Sequence, residues 1–284
     1  MALMWRIPRP AQKPEDVYDL CISRIEDSDL KRRLGAARGD ITKGAAAYEA
    51  SAATASLHLL SGDDFEVTDV SKAEMGSVYT GRMVPEGSPG RDIYDKLILA
   101  APFRRCPMCG VGTARSLDHT MPKTKFHSLA VNPLNLVPVC FDCNKIKSNS
   151  VPAVAEEQVL HPYFDNVTEQ QWLWAEVLDR APAVLRFFVK ASPSWDATTN
   201  ARISEHFRQF QLGEVYSLLA GRKVASIRRE LSEVFILSGE AGLRAHLVRC
   251  ANSHREEYLN DWVTATYMAM AESDWFCAGG FGVR

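Results

Sequence analysis

Four cysteines, an aspartate, a histidine and two asparagines stand close together between Cys106 and Ser150. The cysteines form two Cys-x-x-Cys pairs, Cys106/Cys109 and Cys140/Cys143, with thirty residues between them. Each pair can close a tight knuckle, and the loop between them can bring the knuckles together. Four thiolates at that spacing can therefore surround one metal ion tetrahedrally. Laid over the cysteines is a second series, Asp118-His119, Asn135 and Asn144. It matches what phosphodiester hydrolysis needs. A neutral imidazole must activate a water, and a hard divalent cation must sit against the phosphate and the leaving oxygen. Such a cation prefers oxygen ligands, which the Asp118 carboxylate and the Asn144 amide oxygen can provide.

The text CPMCG, LDHTMPKTKF and NPLNLVPVCFDCNKIKS resembles the HNH endonuclease motif, or ββα-metal motif, in its four-cysteine zinc form. The match covers about a sixth of the chain. It implies His119 as general base and Asp118 as a ligand of the catalytic metal. Asn135 takes the position that holds the loop and orients the histidine. Asn144 takes the last motif position, a ligand of the catalytic metal where many members have His. An Asp/Asn pair favours Mg²⁺ or Mn²⁺ over a softer ion. Lys147, three residues after Asn144 on the same helix face, is expected near the phosphate. The zinc is expected to be structural, since four sulfurs leave no site for water or substrate. A helical front segment and the connector HPYFD are loosely similar to HNH nucleases encoded beside an ATPase in bacterial phage-defence systems of the Septu or retron type. That likeness implies an ATPase partner.

These side chains need elements to hold them. Arg115–Thr120 is expected as a first strand, Leu136–Val139 as a second, and Phe141–Lys147 as the start of a helix presenting Asn144. Because Cys140 and Cys143 lie at that helix's start, zinc would anchor the element carrying the catalytic ligand. Pro122-Lys123-x-Lys125 opens a loop whose lysines are either a phosphate clamp or merely solvated.

Ahead of the motif, three prolines (Pro8, Pro10, Pro14) keep residues 1–13 extended, and Pro14-Glu15-Asp16 opens a helix to about Glu26. Further helices are expected over Ser28–Arg33, Thr42–Leu60, Ser71–Met83 and Arg91–Leu99. After the motif, a proline-marked connector leads to two aromatic, β-branched runs, Gln171–Leu178 and Ala183–Ala191, which read as a β-hairpin. Trp172 and Trp174 there are read as a buried sheet face before a base-stacking one. His161 and Asp165 are read as packing the connector back onto the motif, the alternative being a groove-lining role; His58 and His127 are read as non-catalytic. Helices follow over Thr199–Phe210, Leu212–Ala220, Arg222–Leu237, Glu240–Cys250 and Arg255–Ala271. Arg222, Lys223, Arg228 and Arg229 make a basic helix face. The apolar tail Asp274–Phe281 either docks on the body or meets a partner.

The fold class is therefore α+β and mainly helical, in three regions. Residues 1–100 form a helical segment, 101–150 a zinc-stapled ββα-metal core, and 151–284 a connector, hairpin and helical end. A chain of 284 residues with 46% hydrophobic residues can bury a good core. No apolar run approaches a membrane span. The first thirteen residues lack a signal peptide's apolar core, and an odd remainder of three cysteines argues against a disulfide scaffold. A cytoplasmic setting is the expectation. The net charge of −2 divides unevenly. Residues 101–150 carry seven bases and two acids, a formal +5, whereas the rest carries 26 bases and 33 acids, a formal −7. A polyanion would be drawn to the motif and repelled elsewhere.

Three readings follow. A metal-dependent nuclease acting on nucleic acid, DNA before RNA, uses every motif residue. A zinc-knuckle binding module without catalysis leaves Asp118, His119, Asn135 and Asn144 unexplained. A redox or iron–sulfur centre explains only the sulfurs.

Overall fold

The structure, a computed structural model, describes residues 5–180 and 182–282. Residues 1–4 of the expected extended arm, Ala181 of the hairpin turn and the last two residues lie outside it. Among the described residues the chain is mixed α and β and mainly helical, with two two-stranded antiparallel sheets.

The chain divides into two compact units, one ending at Asn166 and one beginning at Val167. The boundaries expected at residues 100 and 150 are not the ones drawn. Fifty residues bury too little surface to stand apart, so the motif shares a core with the helices before it.

In the first unit, helices α1 (Pro14–Ile22), α2 (Ser28–Ala36), α3 (Arg38–Ala53), α4 (Lys72–Arg82) and α5 (Arg91–Leu99) precede the cysteines. Local chemistry sets their starts. Pro14 opens α1, Asp27 accepts from Leu30 N at 2.9 Å, and Ser71 and Glu74 form a reciprocal capping box on α4. Helix α3 ends earlier than expected: Ala55 takes a φ of +53°, and Leu57–Leu59 continues as a short 3₁₀ turn. Strands β1 (Ser116–His119) and β2 (Leu136–Val139) pair antiparallel, with Asp118 opposite Val137 and His119 opposite Leu136. Helix α6 (Phe141–Lys147) follows β2 after one residue.

The core joins Tyr79, Tyr94, Leu97 and Ile98 of α4 and α5 to Leu117, Ala130 and Leu136 of the motif. Three buried tyrosines donate to carbonyls on or beside the ladder. Tyr79 reaches Leu117 O at 3.2 Å, Tyr48 reaches Leu134 O at 3.3 Å, and Tyr163 reaches Leu136 O at 2.8 Å. Each supplies a partner for a carbonyl that burial would otherwise leave unpaired.

The second unit holds the hairpin β3 (Leu173–Leu178) and β4 (Val184–Val189), then α7 (Ala197–Gln209), α8 (Leu212–Glu257), α9 (Trp262–Glu272) and the short α10 (Asp274–Cys277). Trp172 is fully buried, in keeping with the sheet-face reading, whereas Trp174 is half-buried on the less buried face of β3, with the Lys190 ammonium 4.3 Å from its ring centre. The three helices expected between 212 and 250 run on as α8, broken by non-helical Gly239 at φ +63° and ψ −166°. His246 Nε2 lies 3.1 Å from Glu230 Oε1. Those residues would be roughly 24 Å apart along one straight helix at 1.5 Å per residue, so the chain doubles back at Gly239. The apolar tail docks on its own unit: Phe276 and Cys277 are fully buried, and Phe281 nearly so.

Candidate functional site

The four cysteines come together as their spacing predicts. Their sulfurs lie within 4.8 Å of one another, with Cys109 Sγ and Cys140 Sγ 3.9 Å apart, and all four residues are buried. A tetrahedral zinc with Zn–S of about 2.3 Å needs sulfurs about 3.8 Å apart, so the donor set fits a zinc-like ion. The first knuckle is tight. Gly110 takes a φ of +66° while donating to Cys106 O at 2.8 Å. Gly112 donates its N–H to Cys109 Sγ at 3.3 Å, and a Cβ added there would fall 2.6 Å from Cys140 Cβ. Only glycine lets the two knuckles approach this closely.

Beside the cage is a cleft of about 270 Å³ bordered by Asp118, His119, Asn144, Lys123, Tyr79 and Ser148. His119 enters it from the end of β1. Its Nε2 lies 2.8 Å from the Ala130 carbonyl, which can only accept, so Nε2 carries the proton and Nδ1 keeps the lone pair. The Tyr79 ring meets the imidazole edge-on at 4.5 Å. Burial, with Lys123 and Lys147 nearby, pushes the imidazole down to about 3, so it is neutral at physiological pH.

Asp118 feels two opposed forces. Burial raises its carboxyl above the ordinary range, while the Lys147 ammonium, 3.1 Å from Oδ2, pulls it back. Burial prevails. Asn144 is oriented by Ser116, whose Oγ accepts from Asn144 Nδ2 at 3.2 Å. That leaves the amide oxygen as its remaining donor atom. The Asp118 carboxylate and the Asn144 carbonyl are hard oxygens bordering one cleft, a donor set suited to Mg²⁺ or Mn²⁺.

Asn135 is fully buried and does not border the cleft. Its Oδ1 accepts from Met121 N at 2.7 Å, and its Nδ2 donates to Met121 O at 2.9 Å and Leu129 O at 3.3 Å. It clamps both ends of the loop that delivers Ala130 to His119, which matches the loop-holding role expected of it.

Lys147 departs from expectation. Its side chain is buried, and its ammonium donates to the His119 carbonyl at 2.7 Å besides pairing with Asp118. A cation facing the phosphate would point into the cleft; this one lies behind it and positions two cleft residues. Lys123 borders the cleft with its ammonium 5.3 Å from the Tyr79 ring centre, whereas exposed Lys125 does not. His161 is a packing residue. It accepts from Tyr163 N through Nδ1 at 3.2 Å, and its Nε2 lies 2.7 Å from Tyr48 Oη. His127 is buried, with neither ring nitrogen hydrogen-bonded.

Sequence reasoning missed Tyr79, Ser116, Ala130 and Ser148. Ser116 was within reach, because alternation puts it on the same strand face as Asp118. Ala130 acts through its carbonyl and Tyr79 arrives from a distant helix, so neither leaves a local signal. Ser148 ends α6 at φ +50° and ψ −135°, a conformation side chains disfavour, and this is not visible in its residue type.

No protein-family model matches the chain, and no solved structure does. The chain is 25% identical over 234 residues to Protein ea31 of Escherichia phage lambda, a match covering 79% of each protein.

Proposed function

We propose that this chain is a metal-dependent endonuclease of the HNH type, hydrolysing phosphodiester bonds of nucleic acid, DNA foremost. The observation that carries the reading is the convergence of Asp118, neutral His119 and Asn144 on one cleft beside a four-sulfur cage. A zinc-binding module has no need of an imidazole whose one nitrogen is fixed to a carbonyl and whose other nitrogen keeps its lone pair.

In this reading His119 Nδ1 takes the proton from the attacking water, and the Ala130 carbonyl stabilises the imidazolium that results by holding Nε2–H. Asp118 and Asn144 would hold Mg²⁺ or Mn²⁺, which would supply positive charge against the phosphate and the leaving oxygen. Lys123 stands at the cleft as a phosphate contact. The cage keeps α6, and with it Asn144, in register with β1. The test is cleavage of plasmid DNA over a range of Mg²⁺ and Mn²⁺ concentrations. Asp118→Ala and Asn144→Ala should require higher metal to cut, or fail to cut. Variants with the parent's metal response would remove the proposed ligand pair.

We further propose that the chain works within an assembly, with an ATPase as partner and defence against phage as setting. The division of charge supports this: a basic island on an acidic chain has little grip of its own on DNA. The similarity to a phage-encoded protein equally suits a role in mobile DNA.

A further inference from the structure

Two phenylalanines near the cage are spread into solvent. Phe141, between the second pair of cysteines, is 74% exposed, and Phe103, just before the first pair, is 83% exposed. Neither contributes to the core. Phe103 and Arg104 also both take positive φ, +52° and +55°, in consecutive non-glycine residues. Such backbone is disfavoured for residues with a side chain, and no burial of Phe103 offsets it.

Their placement ties them to the cleft. Phe141 is the first residue of α6 and Asn144 the fourth, so the two are neighbours on one helix face. Lys145, exposed, is the i+4 neighbour of Phe141 on that face. The backbone after Phe103 pairs with the segment ahead of β1, Arg105 bridging Thr113. Ala114 N–H reaches Arg104 O at 2.7 Å on one side, and Arg115 N–H reaches Val139 O at 3.0 Å on the other. The backbone beside Phe103 and the backbone leading to Phe141 thus lie on either side of the segment that runs on into β1 and Asp118. Around them Arg104, Arg115 and Lys145 are exposed and have no ion pair among the described residues, though Arg104 Nη2 donates to Ala114 O at 3.4 Å. The one exposed acid beside Phe141 is Asp142.

Exposed aromatic rings among unpaired cations, one helical turn from a phosphate-cutting cleft, suit an unstacked nucleic-acid strand. The faces of the rings take bases, and the cations take the phosphates between them. We infer that Phe141, with Phe103, forms a base-stacking platform, and that the substrate reaches the cleft with unpaired bases beside the scissile phosphate. This rests on the nuclease reading above and narrows its substrate to single-stranded or locally opened nucleic acid.

The test uses the full zinc-loaded chain without added Mg²⁺ or Mn²⁺, and measures binding to a single-stranded oligonucleotide and to the matching duplex. A 2-aminopurine base in the single strand reports stacking by loss of fluorescence. Phe141→Ala and Phe141→Leu should weaken single-strand binding about 5- to 150-fold, as for loss of one to a few kcal/mol of stacking per base, and should abolish the quenching. Phe141→Tyr should restore both. Zinc content and melting temperature should stay at parental values, since the ring is exposed. Unchanged single-strand affinity in Phe141→Leu, equal losses on duplex and single strand, or no binding by the parent would each overturn the platform. Failure of the nuclease reading shows separately, as cleavage that survives loss of His119.

Discussion

At the scale of single residues, the site depends on which atom of each side chain is already engaged. His119 has Nε2 on a carbonyl, Asn144 has Nδ2 on Ser116, and Asp118 has one oxygen on Lys147. His119 is left with its Nδ1 lone pair and Asn144 with its amide oxygen. Lys147 is the residue on which sequence reasoning erred, since residue type and spacing show that a lysine is near a site and not what its ammonium touches. Its burial allows a prediction. Lys147→Met should leave Asp118 buried without its cation and cost about 3 kcal/mol of stability, read as a lower denaturant midpoint. Adding Asp118→Asn to Lys147→Met should recover part of that loss, because the unpaired charge is gone. A Lys147→Met chain as stable as the parent would show that the pair contributes nothing.

At the scale of elements, the cage and the cleft share one scaffold. Strand β2 and helices α5 and α6 run over the bounds their sequences predict, because each is fixed locally. The second cysteine pair starts α6, the continuous apolar run Leu136–Val139 makes β2, and Gly90 precedes α5. Helix α8 was illegible for the opposite reason. Its turn at Gly239 is made by a single residue in a conformation open mainly to glycine, with helix former on both sides. The glycine that matters most for the cage is Gly112, where a methyl group would meet Cys140. Gly112→Ala should therefore lose zinc to a chelator faster than the parent while keeping all four sulfurs. Cys140→Ala should lose zinc outright and unfold the motif, since metal binding in so small a unit is largely folding energy. A Cys140→Ala chain retaining zinc and melting temperature would refute the cage.

At the scale of the whole molecule, charge and burial decide how the chain meets its substrate. The Trp275–Phe281 tail, which looks in sequence like apolar surface for a partner, is mostly spent inside its own unit, as is the hairpin: Trp172, Phe187, Phe276 and Phe281 are all buried. Exposure is a long-range property that composition does not carry. What remains for partner recruitment is the charge division, +5 on the motif against −7 elsewhere. Few phosphate contacts release few counterions, so binding by the lone chain is expected to be feeble near physiological salt. Cleavage at about 0.15 M ionic strength should be slow for the purified chain and rise when the proposed ATPase partner is added. Fast cutting that such a partner leaves unchanged would make this a self-sufficient nuclease.

The measurement that bears most directly on the account is single-turnover cleavage by His119→Ala beside the parent, both zinc-loaded and supplied with Mg²⁺ or Mn²⁺. His119 is held by Ala130 and packed by Tyr79, and its removal touches no cage sulfur. The variant should keep its zinc, its fold and its affinity for nucleic acid while cutting on the order of 10²–10⁴-fold more slowly, the usual cost of a positioned base. A variant that cuts as fast as the parent would contradict the account.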